Sequence, residues 1–196
     1  MTCPRTPRRT APRGRIAAVL LAMGAVGLGA CGDDPFAIRW VEAPDTVLLY
    51  SLARPELNLT SGFNFNNRLP VRIEAPAATG TWDIAVDTRN GGIVLLAPAA
   101  LGVESRAGIV PMPGMTFAEV IEAPADTSLY VKDQPVPATV GSLYVVRTNQ
   151  GIGAFGTRCF YYAKLEVLDA DAAAGTLTFK YDASPVCNDR RLIPPD

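Results

Sequence analysis

Short alternations of apolar and polar residues, each cut off by proline or glycine, constrain this chain more than any other feature. Val71-Arg72-Ile73-Glu74 and Phe63-Asn64-Phe65-Asn66 follow the period of two that sends successive side chains to opposite faces of a strand. Further β-rich runs lie at 36–41, 46–52, 83–87, 93–96, 117–121, 128–131 and 143–148. Asn90-Gly91-Gly92, Pro113-Gly114 and Asn149-Gln150-Gly151 supply turns between them. Past the first thirty residues, no window holds apolar residues at helical spacing for three turns. The pattern predicts an all-β fold, an antiparallel β-sandwich or distorted barrel in a single domain over residues 36–196.

The triplet Glu-Ala-Pro occurs at 42–44, 74–76 and 122–124. Its offsets differ, so no solenoid or propeller period is present. We read each copy as a strand that ends in proline, which has no N–H for the next ladder bond.

The first thirty residues are of another kind. Arg5, Arg8, Arg9, Arg13 and Arg15 form a basic leader without acids, and an apolar stretch of 15 residues, 16–30, follows. That stretch is short for a membrane span, which needs about 20 residues, and right for the core of an export signal. It ends in Leu28-Gly29-Ala30-Cys31, which resembles the lipobox of bacterial lipoproteins. The resemblance implies cleavage after residue 30, acylation of Cys31 with palmitate and diacylglycerol, and a short tether over 31–35. The expected partner is therefore a membrane, reached through the lipid anchor, and the expected location is the outer membrane of the cell envelope. Neither the periplasmic nor the surface side is specified. An ordinary secretory signal is the alternative, and Arg8-Arg9 lacks the apolar residues that follow a twin-arginine signal.

Beyond residue 30 the chain carries thirteen basic and nineteen acidic residues, a net charge of −6. That balance argues against a nucleic-acid partner held through phosphates. Histidine is absent, which excludes Ser-His and Cys-His nucleophile pairs and histidine metal sites. No phosphate loop or metal-ligand spacing is present, and the expectation is a protein that is not an enzyme. Asp169 and Asp171 imitate the start of a calcium loop, but alanines follow at the next ligand positions, so we read a polar turn.

The final hairpin is the piece with the most determined register. Ala163, Leu165 and Val167 alternate on one arm, Leu177, Phe179 and Tyr181 on the other, and 169–175 supplies the turn. With a turn centred near residue 172, opposed residues have numbers summing to about 345. Cys159 and Cys187 then face each other across the open end, and they are the two thiols left once Cys3 is removed and Cys31 acylated. A structural disulfide is expected there; a redox or metal pair is the alternative.

Met112 and Met115 flank Pro113-Gly114, a pair that favours a type II turn and brings its ends within about 7 Å. Two thioethers on one side of a loop would make a soft site. The alternative is that both fill gaps in a core. Tyr161 and Tyr162, adjacent in an alternating run, point to opposite faces, so only one of them could serve a metal.

Several segments together resemble HmuY-type lipoproteins. They are Trp82-Asp83-Ile84-Ala85 with Asn90-Gly91-Gly92, Phe117-Ala118-Glu119-Val120 with Ala123-Pro124, and Tyr144-Val145-Val146-Arg147-Thr148. Tyr162-Ala163-Lys164-Leu165 and Gly175-Thr176-Leu177-Thr178-Phe179 complete the set, which spans roughly residues 80 to 183. The resemblance implies an all-β outer-membrane lipoprotein, some of whose relatives capture haem and pass it to a transporter. Members that ligate haem through histidine have no counterpart residues here; members that use methionine would make Met112 and Met115 the candidate haem or soft-metal ligands. Two expectations follow. One is a non-enzymatic envelope lipoprotein with a structural or interaction role toward an envelope protein, with Phe63 and Phe65 either displayed as an aromatic strand or turned into the core. The other is a carrier of haem or another small apolar ligand, held without histidine in a cleft between sheets.

Overall fold

The structure, a computed structural model, describes residues 39–195. The expected signal over 1–30, Cys31 and the expected tether over 31–35 lie outside the described residues. Twelve strands follow in chain order: β1 (Asp45–Tyr50), β2 (Gly62–Asn64), β3 (Leu69–Val71), β4 (Ile84–Arg89), β5 (Gly92–Leu96), β6 (Gly108–Pro111), β7 (Val136–Pro137), β8 (Leu143–Arg147), β9 (Gly151–Ile152), β10 (Arg158–Cys159), β11 (Tyr162–Asp171) and β12 (Thr176–Ala183). One sheet has the order β1-β12-β11-β8-β6, the other β3-β2-β4-β5-β7, and β9 and β10 make a separate ribbon. All pairings are antiparallel, and the two large sheets pack face to face as a sandwich.

The final hairpin has the register its alternation implies. Ala163↔Ala183 through Val167↔Phe179 pair with numbers summing to 346, and the six alternating apolar residues are all buried. A bulge at Leu168 then shifts the ladder by one, to Asp169↔Thr178. The extra residue turns out toward solvent, as an unpaired bulge position does. Asp171 closes the turn by accepting the N–H groups of Ala173 and Ala174, both at 2.8 Å.

Phe63 and Phe65 are core residues, 1% and 0% exposed, and not a displayed strand. Their rings lie 4.9 Å apart, and that of Phe63 meets Tyr181 at 4.8 Å and Phe179 at 5.7 Å, all edge to face. These four side chains fill the space between the sheets where a ligand cleft was expected.

Alternation fails elsewhere because both large sheets are covered on the outside too. Val120, Ala123, Tyr130 and Leu192, from segments that follow β6 and β12, pack on Val110, Leu143 and Val145 of the first sheet. A second outer cluster places Trp82, Ala85 and Leu96 under Ala100, Leu101 and Val103. All five residues of β8 are consequently buried. Lys164, a polar position of the final hairpin, is buried for the same reason.

Among the described residues four of the expected strands do not form. The 71–74 run contributes Val71 alone to β3 and then turns. Residues 39–41 of the 36–41 run are irregular, and 36–38 lie outside the described residues. Residues 117–119 form a turn and 120–121 are irregular, because the Glu119 carboxylate takes both the N–H and the hydroxyl of Thr116 at 2.8 Å and closes the chain on itself. Residues 127–129 form a single 3-10 turn capped by Asp126, which accepts the Ser128 N–H at 2.8 Å. The Glu-Ala-Pro triplets do not end strands either. Pro44 precedes β1, Pro76 opens a 3-10 turn, and Glu122 makes only an isolated bridge to Arg191.

Candidate functional site

The methionine loop leaves β6 and turns before the outer cluster. Gly114 has φ 75°, the Met115 N–H reaches the Met112 carbonyl at 3.3 Å, and a type II turn results. The Met112 N–H is held by the Leu143 carbonyl at 2.8 Å, and the Met112 side chain packs against the outer cluster. Met115 is exposed. The turn therefore joins the two backbones while giving one thioether to the protein and the other to solvent. Axial haem ligation needs two side chains on opposite faces of the porphyrin, and two neighbours on one tight turn do not fit it. Among the described residues no group of three or more cysteine, aspartate or glutamate side chains is placed to hold a metal ion.

At one end of the sandwich Cys159 and Cys187 form a disulfide across 28 residues, with Cα atoms 5.1 Å apart. Asn188 reinforces it. Its N–H donates to the Phe160 carbonyl at 2.8 Å, its Oδ1 accepts the Phe160 N–H at 2.9 Å, and its amide donates to the Arg158 carbonyl at 2.9 Å. Gly153 lies against the sulfur so closely that a β-carbon there would collide with it.

Asp83 is a buried node that sequence reasoning did not single out. One of its oxygens accepts the Phe65 N–H at 2.8 Å, the other the Asn149 N–H at 2.7 Å. Phe65 follows β2 and Asn149 follows β8, so this single carboxylate ties the two sheets together. Burial pushes its pKa up to about 6, against the opposing pull of the two N–H groups. The folded state thus holds a proton that the unfolded chain releases near pH 4. The contribution of Asp83 to stability falls as pH rises from about 4 through 6, by a total of about 3 kcal/mol. We expect the stability difference between the wild type and Asp83→Asn to move against the wild type across that window in urea titrations. A difference that stays flat with pH would mean that Asp83 is not held in a raised state.

Outside the sheets, a groove of about 540 Å³ runs over the edge strand β3 and its neighbour β2, with Asn58, Asn64, Asn67, Leu69, Arg72 and Thr81 among its lining. Asn64 is fixed at both ends: its amide donates to the Thr81 carbonyl at 2.6 Å and its oxygen accepts the Asn67 N–H at 2.8 Å. The rest of the lining is largely apolar, with Pro70, Val71, Ala75, Ala77 and Ala78 beside Leu69, and of the three asparagines Asn64 has its side chain held.

The segment ahead of β1 is also fastened. Lys164 pairs with Glu42 at 3.1 Å, the Ala43 N–H donates to Asp182 at 3.2 Å, and Arg68 bridges Asp182 and the Ala43 carbonyl. One ring, that of Phe117, meets the ammonium groups of Lys164 at 4.6 Å and Lys180 at 4.0 Å.

Each missed feature left a trace in the sequence. A lone acid inside the apolar run Trp82-Asp83-Ile84-Ala85-Val86 signals a buried carboxylate, and Asn64 and Asn67 close together signal the turn that holds the groove. What no pattern carried was the pairing of residues from separate loops. No protein-family model matches this chain, and no curated protein matches it. Among the described residues, no helix is long and apolar enough to cross a membrane.

Proposed function

We propose that this chain is a non-enzymatic lipoprotein of the cell envelope, anchored through Cys31, that acts by contacts on its outer surface. The observation that carries this reading is the filling of the inter-sheet space by Phe63, Phe65, Phe179 and Tyr181. A carrier of the HmuY type would keep its ligand in a cleft; here the concave space is outside, over β2 and β3. A groove that mixes apolar side chains with a few asparagines suits a protein surface of mixed character, and Asn64 is already held in place for binding. A disulfide, stable in an oxidising compartment, is in keeping with an exported domain.

The test has two arms. Cys31→Ser should make the protein extractable from the membrane fraction by alkaline carbonate, where the wild type stays; a variant that resists extraction as the wild type does would remove the anchor from the reading. A photoreactive side chain at Asn67 should then cross-link to one envelope protein in intact cells, and a photoreactive side chain at Arg106, outside the groove, should not.

The second reading, a haem or soft-ligand carrier, rests on the turn that joins Met112 to Met115. It requires a saturable one-to-one Soret shift with oxidised or reduced iron that weakens in Met115→Ala. We expect no such shift.

A further inference from the structure

The ribbon of β9 and β10 carries two apolar side chains that the fold does not use. Ile152 is 86% exposed and Phe155 is wholly exposed. Glycines surround them in the run Gly151-Ile152-Gly153-Ala154-Phe155-Gly156. Phe155 also has φ 57°, a left-handed backbone conformation that a bulky residue adopts at a cost. Strain of this kind persists where the surroundings impose it, and it gathers at working positions. Here the tip is closed around Phe155 by the Gly153 N–H, which donates to the Thr157 carbonyl at 2.8 Å, and Gly153 itself lies against the Cys159 sulfur.

The place of the ribbon says what meets it. The ribbon lies between the exit of β8, at Arg147, and the entry of β11, at Tyr162. Tyr162 pairs with Arg147, and Ala163 with Ala183 at the exit of β12. Asp45, at the entry of β1, pairs with Tyr181 beside them. The chain therefore enters the sandwich at the same end that carries Ile152 and Phe155. Val41, 84% exposed, lies on that approach. Only eight steps separate Cys31 from Arg39, at most about 29 Å of extended chain. An acylated Cys31 thus keeps this end of the domain close to the bilayer.

We propose that this end seats on the lipid surface, with Ile152 and Phe155 entering the boundary between headgroups and acyl chains. The exposed Arg158 beside them faces anionic headgroups. The inference rests on the lipoprotein reading for its geometry, since the tether determines which end meets the membrane.

The test reads the two separately. The lipidated mature chain, carrying Phe155→Trp, is reconstituted into vesicles of phosphatidylethanolamine and phosphatidylglycerol with brominated acyl chains. Val140→Trp serves as control: Val140 is exposed between β7 and β8, at the opposite end. Relative to the wild-type signal of Trp40 and Trp82, the added emission at 155 should be quenched by bromine and the added emission at 140 should not. The unlipidated Cys31→Ser chain should still sediment with the same vesicles at high lipid, and Ile152→Ser with Phe155→Ser should weaken that about tenfold or more. Tip-dependent sedimentation without anchoring of the wild type would overturn the lipoprotein reading and leave this one standing. An anchored chain whose residue 155 escapes bromine, including one shielded by an envelope protein, overturns this one. Sedimentation indifferent to both substitutions does the same.

Discussion

Phe63→Ala is expected to destabilise the fold by about 3–5 kcal/mol, read as a drop in the urea midpoint at unchanged slope. The ring is 1% exposed and lies edge to face with Phe65, Phe179 and Tyr181, so its removal opens a hole bounded by three rigid aromatic neighbours. Flat rings cannot collapse into such a hole as flexible aliphatic chains do, which places the loss in the upper part of the range for core truncations. Leu57→Ala, at an exposed loop position, should change stability by no more than about 0.5 kcal/mol. If Phe63→Ala cost as little as Leu57→Ala, the ring would lie at the surface and the inter-sheet space would be open to a ligand. The same variant therefore tests the packing and the choice between the two functional readings.

Cys159→Ala combined with Cys187→Ala is expected to cost about 3–4 kcal/mol, from the entropy that a 28-residue closed loop removes from the unfolded chain. The double variant is the appropriate one, because a single substitution leaves a reactive thiol. The loss should be concentrated at the open end of the β11–β12 hairpin. Faster hydrogen exchange across residues 151–160 would report this, with the centre of β11 unchanged. The three hydrogen bonds of Asn188 still join the two arms without the sulfur bridge. A loss below about 1 kcal/mol would mean that those bonds hold the register unaided.

The final hairpin was legible because a strand pair obeys a simple number rule: one turn position determines the partners to within the single shift at Leu168, and Cys159 with Cys187 obeys it to within one unit. The sandwich was legible from alternation joined to turn residues. Strand β6, Gly108–Pro111, was missed for a physical reason: it is buried on both faces, and a strand covered twice shows no alternation. The run at 117–121 erred the other way, since Thr116 and Glu119 close a local turn that overrides a strand-like composition. At the site, residue types could be named but not their surroundings. Met112 and Met115 share a turn as expected, yet the outer cluster captures Met112, and that cluster is assembled from segments some 80 residues apart. Asp83 joins neighbours 18 and 66 positions away, distances at which no local pattern operates.

The pairing of β1 with β12 bears on when this protein can fold. The first strand of the sandwich finds its only ladder partner in the last, with Asp45 opposite Tyr181. Until residues near 180 have been delivered, β1 has no partner and the sheet that carries the final hairpin lacks its edge. Contacts so far apart in sequence form slowly, because the loop must close before any bond rewards it. In a chain passed through a membrane from its amino end, β1 would therefore wait unpaired, and its sheet would close only once the last strand had followed the first.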